Sequence, residues 1–234
     1  MFLEVPWNND PLSPTSFTAE MHSLDYMPHS VLTFLEQVEH GLWDNTYFIT
    51  NAPHILVSST VQDVRTKPYN FSHALAFENL GLDHLLYQEY SEHYPHETMT
   101  LGFAGRPAGP NFYINKIDNT LIHGPGGQSH HDIGEEADPC FATIVGGKDI
   151  LTRIFALPVQ QGSNYELYRP VKIVRALIHP SESIDRGRRV REGNGSPDMD
   201  KFLQEHHGNN EEDHRDEDEH HEDFEDHEYG IVHG

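Results

Sequence analysis

Apolar residues alternate with polar ones over several short stretches of this chain and recur at helical spacing over one long stretch. "SFTAEMHS" (16–23) alternates and predicts a strand. "MPHSVLTFLEQVEHGLWDN" carries the strongest helical signal: Val31, Phe34, Leu35, Val38 and Leu42 share one face, and Pro28 stands where a helix begins. "TYFIT" (46–50) and "HILVSS" (54–59) follow as short strands around Pro53. Residues 60–95 are irregular and polar, with "ALAFENLGL" readable as helix or loop. "TMTLGF" (98–103) and "NFYIN" (111–115) are strands on either side of a Gly/Pro bend, and alternation turns Phe112 inward as a barrel plug. A long loop (120–139) leads to a strand "CFATIVGG" (140–147), a short helix "KDILTRIFAL" (148–157) and a closing strand "PVKIVRALIH" (170–179). Many short strands with two helices predict a mainly β fold, a barrel capped by helices.

The pattern breaks near residue 180. Residues 201–234 hold 13 acidic and two basic residues. So charged a segment buries too little apolar surface to offset chain entropy. The organisation expected is an N-terminal extension (1–16), a folded domain (17–180) and a disordered acidic, His-rich tail (181–234). The net charge of −23 disfavours phosphate backbones, so no nucleic-acid partner is expected. Cys140 is the single cysteine, which excludes an internal disulfide and a Cys-based zinc site. No apolar run is long enough to span a bilayer, and the N-terminus lacks the features of a signal peptide. A cytoplasmic or nuclear location is the default expectation, and no cofactor is implied.

Four blocks, taken in order, resemble cyclophilin-type peptidyl-prolyl isomerases across about residues 17–179. They are "MPHSVLTFLEQVEHGLWDNTYF", "GPNFYIN", "CFATIVGGKDILTRI" and "VKIVRALI". The resemblance implies an eight-stranded antiparallel closed barrel capped by two helices, and a groove for proline-containing or extended peptide segments. In the family an arginine weakens the conjugation of the prolyl amide, an apolar pocket holds the proline ring, and amide side chains orient the peptide. The family's Phe-His-Arg-Val-Ile-Pro-Gly-Phe-Met-Ile-Gln aligns with residues 48–58, Phe-Ile-Thr-Asn-Ala-Pro-His-Ile-Leu-Val-Ser.

Phe48 is thus retained, Thr50 replaces the catalytic arginine, Ile55 and Leu56 replace the pocket Phe and Met, and Ser58 replaces the orienting Gln. Asn111 and Tyr113 fall at a second Gln and a pocket Phe. Phe103 and Leu121 are further pocket candidates, and Asp138 stands at the pocket His. The resemblance therefore implies isomerase activity that is weak or lost. Two alternatives stay open. One is an active isomerase using a displaced cation, Arg106. The other is a non-catalytic scaffold whose tail binds metal or a basic protein.

Metal chemistry has two candidate places. The loop gathers His123, His130, His131, Asp132, Glu135, Glu136 and Asp138, but at no recognised ligand spacing. The tail holds His206, His207, His214, His220, His221, His227 and His233 among carboxylates, which suits weak divalent-metal binding. Gly124–Gly127 lacks the Lys-Ser/Thr and following helix of a P-loop. "RGRRVR" (186–191) is a small basic cluster that can serve as a signal or as a counterion for the tail.

Overall fold

A computed structural model describes residues 1–7, 15–127 and 137–180. The elements in chain order are β1 (Phe2–Glu4), β2 (Thr15–Ser16), β3 (Thr18–Met21), α1 (Pro28–Glu39), β4 (Tyr47–Asn51), β5 (Ile55–Ser59), α2 (Ala74–Asn79), β6 (Thr100–Phe103), β7 (Phe112–Asn115), α3 (Thr120–His123), β8 (Cys140–Gly146), α4 (Lys148–Phe155) and β9 (Glu166–Arg175).

All nine strands belong to one antiparallel sheet, ordered β2-β1-β9-β4-β5-β7-β6-β8-β3. Its two end strands, β2 and β3, are separated in the chain by Phe17 alone. They act as one bent strand that pairs with β1 on one side and β8 on the other. The sheet thereby closes on itself, and counting the bent strand once gives the eight strands expected. Phe17 is fixed at the seam by two bonds with Met1: its N–H donates to the Met1 carbonyl at 3.0 Å, and the Met1 amino group donates to its carbonyl at 2.8 Å.

Residues 2–4, which the sequence reading put in an extension, form β1, with Leu3 buried in the core. The expected loop 120–139 contains the short α3, the ambiguous "ALAFENLGL" contains α2, and the closing strand starts at Glu166 rather than at 170. The tail lies outside the described residues. No helix among those described is long and apolar enough to cross a membrane.

Helix α1 forms where periodicity places it, with Pro28 in its first turn. Its open N–H groups are capped from a distance. The Glu89 carboxylate accepts from His29 N–H at 3.2 Å and from Ser30 N–H at 2.6 Å. Val31, Phe34 and Val38 are buried, and the Phe34 ring meets those of Phe141, Phe112 and Phe103 at 4.7, 5.4 and 6.2 Å. Each such fully buried side chain contributes about 1.5–3 kcal/mol. Leu151 and Ile154 of α4 enter the same core. Gln37, also buried, donates to the Leu82 carbonyl at 2.8 Å and accepts from the Trp43 indole at 3.1 Å.

Register on β6 and β7 decides what lies on each side of the wall. Leu101 faces Ile114 and Phe103 faces Phe112, and all four are in the core. Gly102 and Tyr113 form the intervening pair and point to the outer side. Phe112 fills the interior as expected, meeting Trp43 at 4.8 Å and Phe48 at 5.7 Å.

Candidate functional site

The residues proposed for the groove divide between the two faces of the barrel wall. Phe48, Leu56 and Phe103 are buried in the core. Phe103 faces inward because Gly102 takes the outward position beside it. Ser58 is buried and stitches strands: its hydroxyl donates to the Phe112 carbonyl at 2.8 Å and accepts from the Phe112 N–H at 2.9 Å. Thr50 and Ile55 are half-buried on β4 and β5, and Asn111 is half-buried at the start of β7. Leu121 is 90% exposed on α3.

Tyr113, Asp138 and Arg106 come together. Gly102 makes this possible, since a Cβ there would lie 2.7 Å from the Tyr113 ring and hydroxyl. Across that gap the hydroxyl donates to Asp138 Oδ2 at 3.1 Å. His123 Nδ1 donates to the same oxygen at 2.6 Å, and Arg106 Nε donates to Oδ1 at 3.2 Å. The Asp138 and Arg106 side chains are 2% and 3% exposed. Asp138 also accepts at its backbone: His96 Nε2 donates to that carbonyl at 2.8 Å. A carbonyl only accepts, so His96 carries its proton on Nε2 and offers Nδ1 as acceptor to Asn115 Nδ2, 3.4 Å away. Asn115 continues the network to Thr100 at 2.9 Å and Asn119 at 2.7 Å.

Electrostatics follow from this burial. Desolvation lowers the His96 pKa to about 4, so the imidazole is neutral near pH 7. Burial pushes the Asp138 carboxyl up. The hydrogen bond and charge of His123, the Arg106 charge and the Tyr113 hydroxyl outweigh that and hold it below the usual carboxylate value. Burial, followed by the Asp138 charge, raises Tyr113 well above an ordinary phenol. Burial lifts the Cys140 thiol to about 12, which leaves it no thiolate character near neutrality.

Thr50 on β4 is neutral and half-buried. Two cations flank the wall. Lys116 Nζ donates to Asn51 Oδ1 at 2.9 Å and to the Ala52 carbonyl at 2.8 Å, locking the β4–β5 turn. Arg106 is held by Asp138. The sequence singles out Tyr113, Asp138 and Arg106 separately and gives no motif for His96, Asn115 and Asn119. Gly102, opposite Tyr113, was the one local signal for the network. Among the described residues no group of His, Cys, Asp and Glu could hold a metal ion. His130, His131, Asp132, Glu135, Glu136 and the tail histidines lie outside those residues.

No family model matches the chain, and no curated protein matches it. Solved structures do. The chain is similar to a cyclophilin-type peptidyl-prolyl cis-trans isomerase of Cryptosporidium parvum in the presence of the dipeptide Ala-Pro. The TM-score is 0.51 at 14% identity, covering 70% of this chain and 93% of that one. A second structure of the same isomerase is similar at TM-score 0.51 and 14% identity, with 70% and 91% covered. This chain has a cyclophilin-like fold. The cyclophilin-like barrel is thus kept while the outer face of its β6–β7 wall carries a buried polar network.

Proposed function

We propose that this cyclophilin-like domain binds extended or proline-containing peptide segments and isomerises the prolyl bond weakly or not at all. The observation that carries the reading is Thr50 on β4, with Arg106 engaged by the buried Asp138. The uncatalysed barrier is ~18–20 kcal/mol because the planar amide is conjugated. An enzyme lowers it by binding the twisted amide better than the planar one. A guanidinium aimed at the prolyl nitrogen does this electrostatically, and a hydroxyl does not. Losing one preorganised electrostatic group typically costs about 10²–10³ in rate. The cyclophilin-like frame supports the binding half of the proposal, and the missing cation supports the catalytic half.

The experiment is a protease-coupled isomerisation assay together with an NMR titration by a proline-containing peptide. Expected are shifts at residues 50–58 and 102–113, and a rate at least about 100-fold below that of an arginine-bearing cyclophilin. A rate at the ordinary family level that Arg106→Ala abolishes would overturn the reading and establish Arg106 as a displaced catalytic cation.

A further inference from the structure

The guanidinium of Arg106 is buried, yet it is only partly used. Nε–H donates to Asp138, while Nη1 and Nη2 find no acceptor among the described residues. Asn111 Oδ1 in the same loop is buried and finds no donor there. Two backbone bonds draw that loop into a closed ring: Ala104 N–H donates to the Asn111 carbonyl at 2.8 Å, and Gly109 N–H donates to the Ala104 carbonyl at 2.9 Å. The unused donors and the unused acceptor therefore belong to one short turn of chain.

Charged N–H groups out of water and without acceptors are costly, and such groups in a folded protein call for a partner. The partner's chemistry can be read from what is left over. The Nη1–Nη2 edge of a guanidinium matches the two oxygens of a carboxylate in a bidentate pair. Asp138 takes only Nε, so a second carboxylate does not have to displace it. An amide N–H next to that carboxylate would satisfy Asn111 Oδ1. The last residue of a peptide chain carries both groups. Gly105 and Pro107 on either side of Arg106 are exposed, so the turn itself lies at the protein surface.

We propose that the 104–111 turn binds the carboxylate of a peptide's C-terminal residue, with Arg106 Nη1 and Nη2 holding the two oxygens and Asn111 taking the terminal N–H. The proposal rests on the peptide-binding reading and narrows its ligand to peptides with a free C-terminal acid.

The test titrates the full chain by NMR with three probes: acetyl-Ala-Pro-Ala as the acid, the same peptide as its amide, and acetyl-Gly-Gly-Ala as the acid. The acid is expected to bind at least ten-fold tighter than the amide. Arg106→Lys keeps a positive charge beside Asp138 but loses the fork, and it erases that preference with the circular-dichroism spectrum unchanged. Asn111→Ala weakens the acid several-fold and leaves the amide alone. Equal binding of acid and amide overturns the carboxylate site and leaves the peptide reading standing. Arg106-dependent binding of the proline-free acid as tight as that of the proline peptide keeps the site and overturns the proline preference. No binding by any probe overturns both.

Discussion

Replacing Asp138 by Asn removes one charge and almost no volume. The wild-type carboxylate is 2% exposed and, among the described residues, accepts three side-chain hydrogen bonds, one of them from a guanidinium that is 3% exposed. An Asn has one acceptor oxygen, and its amide nitrogen would face a donor. The variant leaves the Arg106 charge buried without a counterion, a change that typically costs about 3–5 kcal/mol. A domain of this size loses roughly 2–4 °C of Tm per kcal/mol, so the expected fall is about 6–20 °C. The assay is thermal and urea unfolding followed by near-UV circular dichroism, run on Asp138→Asn, Arg106→Met and the double variant. Removing both charges should cost less than the sum of the single changes, with a coupling of at least about 1 kcal/mol. A loss below about 1 kcal/mol for Asp138→Asn, or strict additivity, would refute the network as a desolvated, mutually dependent unit.

Three further outcomes are expected. The His96 pKa is lower folded, at about 4, than unfolded, at about 6.5, so the unfolded chain binds more protons between these values. Stability should therefore fall by up to about 3 kcal/mol as pH drops from 6.5 to 4, with His22 and His54 acting in the same direction and Asp138 adding a loss at still lower pH. His96→Gln should flatten that slope in urea melts taken across the range, and an unchanged slope would count against a neutral buried imidazole. Gly102→Ala should cost about 1–3 kcal/mol, because its methyl lands on the Tyr113 ring, and a change under about 0.5 kcal/mol would place that ring elsewhere. Gln37→Ala should cost about 1–3 kcal/mol by leaving the Trp43 N–H and the Leu82 carbonyl unpaired, read from tryptophan fluorescence during unfolding.

The parts of the fold that were legible in the sequence are those where one face is wet and one is dry. Helix α1 shows its apolar stripe because its other face meets solvent. Strand β6 lies within the predicted strand 98–103, but all four of its residues are buried, so no alternation marks its inner face. Nothing local told Phe103 from Gly102, and the inward and outward positions were set by pairing with β7. Strand β1 has three residues, too few to display a period, and it is identified by its pairings with β2 and β9. The site has the same character. Arg106, Tyr113 and Asp138 lie 25 and 32 residues apart along the chain where they bond, so their association is a product of the closed barrel and of no local pattern. His96 sits in a polar stretch with no periodicity, and its role comes from distant partners, the Asp138 carbonyl and Asn115.

The seam of the barrel has a consequence for how the chain is made. Strand β1, at residues 2–4, pairs with residues 172–175 of β9, almost the full span of the domain away. A chain emerging from the ribosome cannot close its sheet until that last strand is free. Until then β4 and β1 each present an unpaired edge to the surroundings, and such edges invite association with other chains. Pairings this distant in sequence also slow folding, because the loop entropy is lost before the contact is gained. The nascent protein should therefore spend much of its synthesis as an open sheet, the period in which a chaperone would matter most to it.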